Sequence, residues 1–356
     1  EYSTMALLCF HFGAFCYFTR RLVLVSIKSI HMKILYAIQG TGNGHLSRAR
    51  DIVPILSKLG ETDLLLSGSQ AEVDFPWPIK YRFHGMGFAF GKNGGIDLIK
   101  SYQQSNLRKL RSEINQLNLD EYDLVISDFE PVSAWACHQQ GKACIGLSHQ
   151  AALNFPASPL PNKIDPVGQA VLRHYAPVSA SYGFHFQSYH PNIFTPVIRQ
   201  QIRALKPLDK GHYTVYLPAY ADSRIIKVLS QIPKVSWEVF SKHSRVSFRQ
   251  DNVFVQPIHN EKFLESLAGA TGVVCGAGFE TPAEVLYLQK KLLVIPMKGQ
   301  YEQQCNAAAL KEMGIPVIKS LKEKQLQKIE DWVNYGQVPK VDYPDQTEDI
   351  LRMIIE

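Results

Sequence analysis

Two hydrophobic periods alternate along the chain. From Met32 onward, short apolar runs of strand length are separated by stretches where apolar residues recur every three or four positions. KILYAI (33–38) predicts a buried strand followed by a Gly-rich turn. HLSRARDIVPILSKLG (45–60) predicts a helix, with Ile52, Ile55, Leu56 and Leu59 on one face and Gly60 as its stop. DLLLSG (63–68), DLVISD (123–128), KACIGLS (142–148) and GFHFQS (183–188) predict further strands, and a long helix is predicted over 97–118. Strands alternating with helices mean βαβ units and parallel sheet.

The pattern breaks from about 155 to 210, where eight prolines from Pro156 to Pro207 predict irregular chain. It then restarts. Strands are predicted at 212–218, 235–241, 252–258, 271–276 and 291–297, with helices at 223–232, 261–270, 281–290 and around 301–313. The reading is an α/β protein of two consecutive modules, 32–207 and 208–356, joined near 205–210 without a visible sequence repeat.

Residues 1–31 read differently. MALLCFHFGAFCYF is apolar, Arg20-Arg21 interrupts, and LVLVSI resumes. The uninterrupted run is shorter than the ~20 residues a bilayer span needs. Its basic pair follows the apolar core, the reverse of a signal peptide. The segment is expected to be a leader outside the fold, either a signal-anchor or an extended gene start, with the folded part opening at Met32.

Length fits two domains, and 46% hydrophobic with 20% charged residues is an ordinary globular composition. Part of the +6 net charge falls in the leader, where Arg20, Arg21 and Lys28 face only Glu1. The rest is too weak and scattered to predict a nucleic-acid partner. Six cysteines without CxxC spacing predict neither a zinc knuckle nor a disulfide framework, and fit reduced thiols in a cytoplasmic protein.

Three motifs carry chemistry. In GTGNGH, Gly40, Gly42 and Gly44 let backbone approach a ligand between a strand and a helix N-terminus, and His45 stands at the mouth of that turn. The spacing is neither the dinucleotide GxGxxG nor a P-loop. In YDLVISDFEP, Asp128 ends an apolar strand. It could orient the His45 imidazole or cap the helix after Pro131, with Glu130 as the substitute acid. The third motif, CGAGFETPAEVLYLQKKLLVIPMKGQYEQQCNA, runs from Cys275 to Ala307. It predicts a strand entering the turn Gly276-Ala277-Gly278, a helix from about Thr281-Pro282, and a second strand ending at Pro296. Glu284, Gln300, Glu302, Gln303 and Asn306 then gather carboxylate and amide groups suited to hydroxyls of sugar or ribose.

This third segment resembles the donor-binding segment of the UDP-glycosyltransferases. It is similar to that of the glucuronosyltransferases and of the cell-wall N-acetylglucosaminyltransferase that makes lipid II, and GTGNGH resembles their N-terminal loop and histidine. The resemblance implies a GT-B fold: two Rossmann-like domains facing across a cleft, acceptor on the first and nucleotide-sugar on the second. It implies that His45 is the base, that Asp128 orients it, and that Gly276 and Gly278 form the diphosphate turn. It further implies that Thr281 contacts phosphate, Glu284 holds the ribose, and Glu302 and Gln303 contact the donor sugar. Cys275 stands where the family often has histidine, and Phe279-Glu280-Thr281 replaces its usual small hydroxyl-rich stretch. No DxD metal signature is seen.

The expectation is an inverting, metal-independent hexosyltransferase using a UDP-sugar as co-substrate and no cofactor. A UDP-sugar epimerase and a non-catalytic nucleotide-sugar-binding protein stay open as alternatives. The segment from Gly85 to Arg111 combines glycines and phenylalanines with Lys100, Arg108, Lys109 and Arg111. It leaves two acceptor-side expectations open: a lid over the site, or a lipid-linked acceptor with peripheral contact at the inner membrane face.

Overall fold

Alternate residues of each strand serve opposite faces of a sheet. Ile34, Tyr36 and Ile38 pack into one apolar cluster while Leu35 and Ala37 pack into another. Val273 and Cys275 likewise part from Val274. Strands covered on both faces read as continuous apolar runs, which is the pattern seen in the sequence. The computed structural model describes residues 32–68, 75–86 and 107–356. The leader, the first part of the helix predicted over 97–118, and most of the Gly85–Arg111 segment lie outside the described residues.

The first lobe contains β1 (Lys33–Gln39), α1 (Asn43–Leu59), β2 (Glu61–Ser67), β3 (Tyr81–Phe83), α2 (Leu107–Gln116), β4 (Leu124–Asp128), α3 (Pro131–Gln140), β5 (Ile145–Ser148), α4 (His149–Ala152), α5 (Pro166–His174), β6 (Ala180–Phe184), β7 (Ile193–Phe194) and α6 (Gln200–Arg203). Its sheet runs β3-β2-β1-β4-β5-β6-β7, and every pair is parallel. The second lobe contains β8 (His212–Tyr216), α7 (Asp222–Leu229), β9 (Ser236–Ser241), β10 (Phe248–Gln250), β11 (Val253–Pro257), α8 (Asn260–Gly269), β12 (Ala270–Gly276), α9 (Glu280–Tyr287), β13 (Lys291–Ile295), α10 (Tyr301–Glu312), α11 (Leu326–Tyr335) and α12 (Thr347–Ile355). Its sheet runs β10-β11-β9-β8-β12-β13, with only β10 antiparallel.

Both sheets reverse winding direction beside their first strand, between β1 and β4 and between β8 and β12. In such sheets ligands bind off the carboxyl ends of the strands at this switch point. His45 and Asp128 flank the first switch point, and the Gly276–Gly278 turn leaves the second.

Two strands start three residues away from where they are predicted. The strand expected at 142–148 begins at Ile145, because Lys142 N–H still donates to the Cys137 carbonyl of the preceding helix at 2.9 Å and Cys144 N–H donates to the Ser179 hydroxyl at 3.1 Å rather than to a ladder carbonyl. The strand expected at 183–188 is Ala180–Phe184, since pairing with β5 starts at Ala180. The Pro-rich stretch is also less irregular than predicted. Pro166 opens α5 at a position that needs no N–H, and the Asp165 carboxylate caps it, accepting from Val167 and Gly168 N–H at 3.1 Å.

The 207/208 boundary falls between α6 and β8. The chain then crosses back: α12 packs against α1, with Ile350, Leu351 and Ile354 in the same apolar cluster as Leu46 and Ile52.

Candidate active site

β1 delivers Gln39 to the turn, and Gly40 follows where backbone runs against backbone. A Cβ there would lie 2.9 Å from the Ser67 carbonyl oxygen, so the residue must be glycine. Gly42 is the N-cap residue of α1. A Cβ on Gly44 would come within 3.1 Å of Glu280 Cγ, so this turn touches the second lobe directly.

His45, in the first turn of α1, has Nδ1 2.8 Å from Asp128 Oδ1. A carboxylate at that distance holds the proton on Nδ1 and leaves the Nε2 lone pair as the basic atom. Asp128 is fully buried at the end of β4. Its oxygens also accept from Arg48 Nη2 at 2.7 and 2.8 Å and from Arg48 Nε at 3.2 Å. Tyr36 adds a hydroxyl at 3.4 Å. Burial alone would raise the Asp128 carboxyl, but the Arg48 and His45 charges outweigh it and hold the group below the usual carboxylate range.

Glu130 has the other role considered for Asp128. Its carboxylate caps α3, accepting from Val132 N–H at 2.8 Å and Ser133 N–H at 2.6 Å. Between the two acids, Phe129 takes a φ of 55°, uncommon for an aromatic residue, and stacks on Tyr175 at 4.8 Å. This turn separates the caps: Asp128 stays with His45 while Glu130 serves the helix.

The second lobe meets this pair along α9 and α10. Arg48 Nη1 donates to Glu280, the first residue of α9. Burial raises the Glu280 carboxyl to about 7 despite that cation. Gln150 Nε2 lies 3.4 Å from His45 Nε2 and donates to Glu302 Oε2 at 3.1 Å, while Gln150 Oε1 is buried with no partner. The His149 ring spans the Phe184 carbonyl at 2.8 Å and Asn306 Oδ1 at 2.7 Å, and stacks on Phe279 at 3.9 Å. Asn306 Nδ2 in turn donates to the Ala277 carbonyl at 3.1 Å, inside the Gly276–Gly278 turn. A Cβ on Gly278 meets nothing within 4 Å, and one on Gly276 comes no closer than 3.7 Å to Gln303 Oε1.

The remaining candidates divide. Thr281 is half-buried in the first turn of α9. Gln303 is buried, and its Oε1 accepts from Met297 N–H at 2.9 Å, pinning the loop after β13. Glu284 is buried and paired with Arg199 of the first lobe. The Cys275 side chain is fully buried in the apolar cluster, and burial pushes its thiol up.

The sequence profile of glycosyl transferase family 1 matches residues 32–336. The chain belongs to this family. It is a glycosyltransferase of GT-B fold. SsfS6, a glycosyltransferase of Streptomyces sp. SF2575 solved with thymidine diphosphate, is 13% identical over 91% of this chain and 99% of its own, with a TM-score of 0.57. Phytolacca americana UGT2, complexed with UDP-2-fluoro-glucose and pterostilbene, is 13% identical over 91% of this chain and 93% of its own, with a TM-score of 0.54. At such identity these two show the shared fold. A comparison with curated proteins finds no match.

Several residues of this candidate site were not singled out from sequence. Arg48 had a signal: it lies three residues after His45, on the same face of a predicted helix. His149 and Gln150 directly follow a predicted strand, at the edge where ligands bind. Arg199 had none, because it sits in the Pro-rich stretch and reaches Glu284 only through the tertiary fold.

Proposed function

We propose that this glycosyltransferase moves a hexose from a UDP-sugar to an acceptor hydroxyl, with inversion at the anomeric carbon and without a metal ion. The observation that carries this reading is the His45–Asp128 pair at 2.8 Å, with Glu280 and Glu302 of the other lobe one side chain away. His45 Nε2 takes the acceptor proton as the acceptor oxygen bonds to the anomeric carbon. The bond from that carbon to the diphosphate breaks in the same displacement, and its electron pair leaves with UDP. Asp128 holds the ring and balances the imidazolium as it forms. The N–H groups at the head of α9 and the open face of Gly278 suit the leaving diphosphate, whose charge a helix N-terminus stabilises. UDP and thymidine diphosphate in the solved neighbours favour a nucleoside diphosphate here as well.

On the acceptor side, a lipid-linked substrate at an anionic membrane face is supported by Arg108, Lys109 and Arg111, all exposed on α2. No helix among the described residues is long and apolar enough to cross a membrane. The test of the reaction is incubation with UDP-glucose, UDP-galactose and UDP-N-acetylglucosamine, following UDP release with and without chelator. Proton NMR of the product gives the anomeric configuration. Retained configuration, or release abolished by the chelator, would overturn the mechanism.

A further inference from the structure

Arg48 is 1% exposed, yet its guanidinium is spent on charged groups from both lobes. Three contacts fix both Asp128 oxygens, and the remaining nitrogen, Nη1, donates to Glu280. Nη2 also lies 3.2 Å from His45 Nδ1. Because Asp128 holds the proton on Nδ1, that approach brings two donors together. It opposes a positive charge on the ring.

We infer that Arg48 is a positioning residue for the transfer, one that sets Asp128 and His45 and is itself set by Glu280 at the head of the donor-side helix. A planar, permanently charged fork is what such a site requires, because one group must hold a carboxylate on each side in fixed directions. The arrangement shares the Asp128 charge between two cations. His45 therefore receives orientation from Asp128 with only part of its charge. Glu280 draws Arg48 the other way. Since Glu280 opens the helix that follows the Gly276–Gly278 turn, the setting of the base depends on the element that carries that turn.

The groups facing His45 define the expected signs. Asp128 on β4 favours the imidazolium, and Arg48 on α1 opposes it. Gln150 on α4 is neutral and holds Glu302 of α10. Tyr36 on β1 gives Asp128 a hydroxyl at 3.4 Å, and Glu280 on α9 bonds Arg48 while also facing His45 electrostatically. Loss of the Arg48 charge should make the imidazolium easier to form. The Glu280 carboxyl, lifted to about 7 by burial, carries little charge in the range where an imidazole titrates, so its replacement by Gln should move the ring little. A residue that merely packs would not move the ring when its charge is removed.

The experiment is a titration of the His45 ring by NMR in the full chain, with histidine labelled at Cε1. His45→Gln assigns the signal among the twelve histidines. Arg48→Met should raise the His45 titration midpoint by about one pH unit, the shift typical of a charge this close. Glu280→Gln keeps an acceptor for Arg48 Nη1 and should leave it near the wild-type value, because the Glu280 carboxyl, lifted to about 7, is already largely neutral where an imidazole titrates. If Arg48→Met fails to fold, Arg48→Gln, which keeps an N–H donor for Asp128, carries the test. Arg48→Gln also removes the charge, so its midpoint should rise as well. A midpoint at or below the wild-type value in a folded Arg48 variant, or an equal rise in Glu280→Gln, overturns the inference. It rests on the proposed role of His45 only for its catalytic meaning. A His45→Ala enzyme with full UDP release from UDP-glucose would overturn that role and leave the titration result standing.

Discussion

Arg199 grips Glu284 across the two lobes, with Nε 2.5 Å from Oε1 and Nη2 2.9 Å from Oε2. The side chains are 14% and 4% exposed, so little water shares this pair. Removing one partner of a buried ion pair strands the other charge. Arg199→Met should therefore destabilise the fold by about 3–5 kcal/mol. Arg199→Met combined with Glu284→Gln should recover part of that loss, because no buried charge is then unpaired. Urea unfolding of both variants checks this, and equal losses in the two would remove the stranded charge as the cause.

The same carboxylate is the proposed ribose ligand. A carboxylate has lone-pair sites to spare beside a forked guanidinium. Glu284→Ala should weaken UDP binding by ~1.5–3 kcal/mol, as for a hydrogen bond to a charged group. Gly278→Val puts a side chain on the open face of the turn and should weaken UDP as well, without a packing clash of its own. Calorimetry that finds UDP affinity unchanged in both folded variants would move the donor site elsewhere.

His45→Ala removes the proposed base and should lower kcat by roughly 10²–10⁴-fold with UDP affinity near normal. Asp128→Asn should cost less in the chemical step, since the acid orients and does not itself take the proton. It should cost more in stability, because Arg48 loses the charge that balances it in the interior. Turnover and unfolding measured on the same two proteins separate these effects, and a His45→Ala enzyme as fast as wild type ends the assignment.

The sheets were legible because strand runs buried on both faces are apolar throughout, as in residues 34–38 and 292–295. His45 and the two glycine turns were legible because local rules place ligands where a strand meets a helix. Glu284 was legible as a lone acid in a helix, but not as the partner of a residue 85 positions away. Arg48 would have read as a solvated helix cation. Only burial, with Asp128 from one lobe and Glu280 from the other, shows what its charge does. The choice between Asp128 and Glu130 turned on one positive φ at Phe129, which no propensity for phenylalanine predicts.

Glu280 links this electrostatic arrangement to pH. Burial lifts its carboxyl from 4.5 to about 7, against the pull of Arg48. The folded state thus binds the proton more tightly than the unfolded chain does. This contribution to stability is fully present below the unfolded value of about 4.5 and is lost as pH rises through about 7. Glu280→Gln does not titrate. Its stability relative to wild type should grow by about 1–3 kcal/mol between pH 5 and pH 8. Urea unfolding at several pH values checks this. A difference that stays flat or shrinks contradicts a raised carboxyl.

The acceptor side can be tested without knowing the acceptor. Leu110 and Glu113 anchor α2, and the Glu113 carboxylate accepts from His84 N–H at 2.8 Å and Gly85 N–H at 3.0 Å. Arg108, Lys109 and Arg111 stay on its exposed side, where Lys109 Nζ also lies 2.8 Å from His84 Nδ1. Three cations near an anionic lipid surface contribute about 1 kcal/mol each, so changing all three to Gln should weaken vesicle binding on the order of 100-fold. The folded core should be unaffected, because none of the three is buried. Co-sedimentation with phosphatidylserine vesicles, compared with neutral phosphatidylcholine and repeated at high salt, reads the effect. Comparing the wild-type chain with the triple variant cancels any binding by residues 1–31, which both share. Binding to anionic vesicles that salt weakens and the triple variant loses supports the membrane-face acceptor. Equal binding by both chains, or none by either at low salt, removes the basis for a lipid-linked acceptor on this helix.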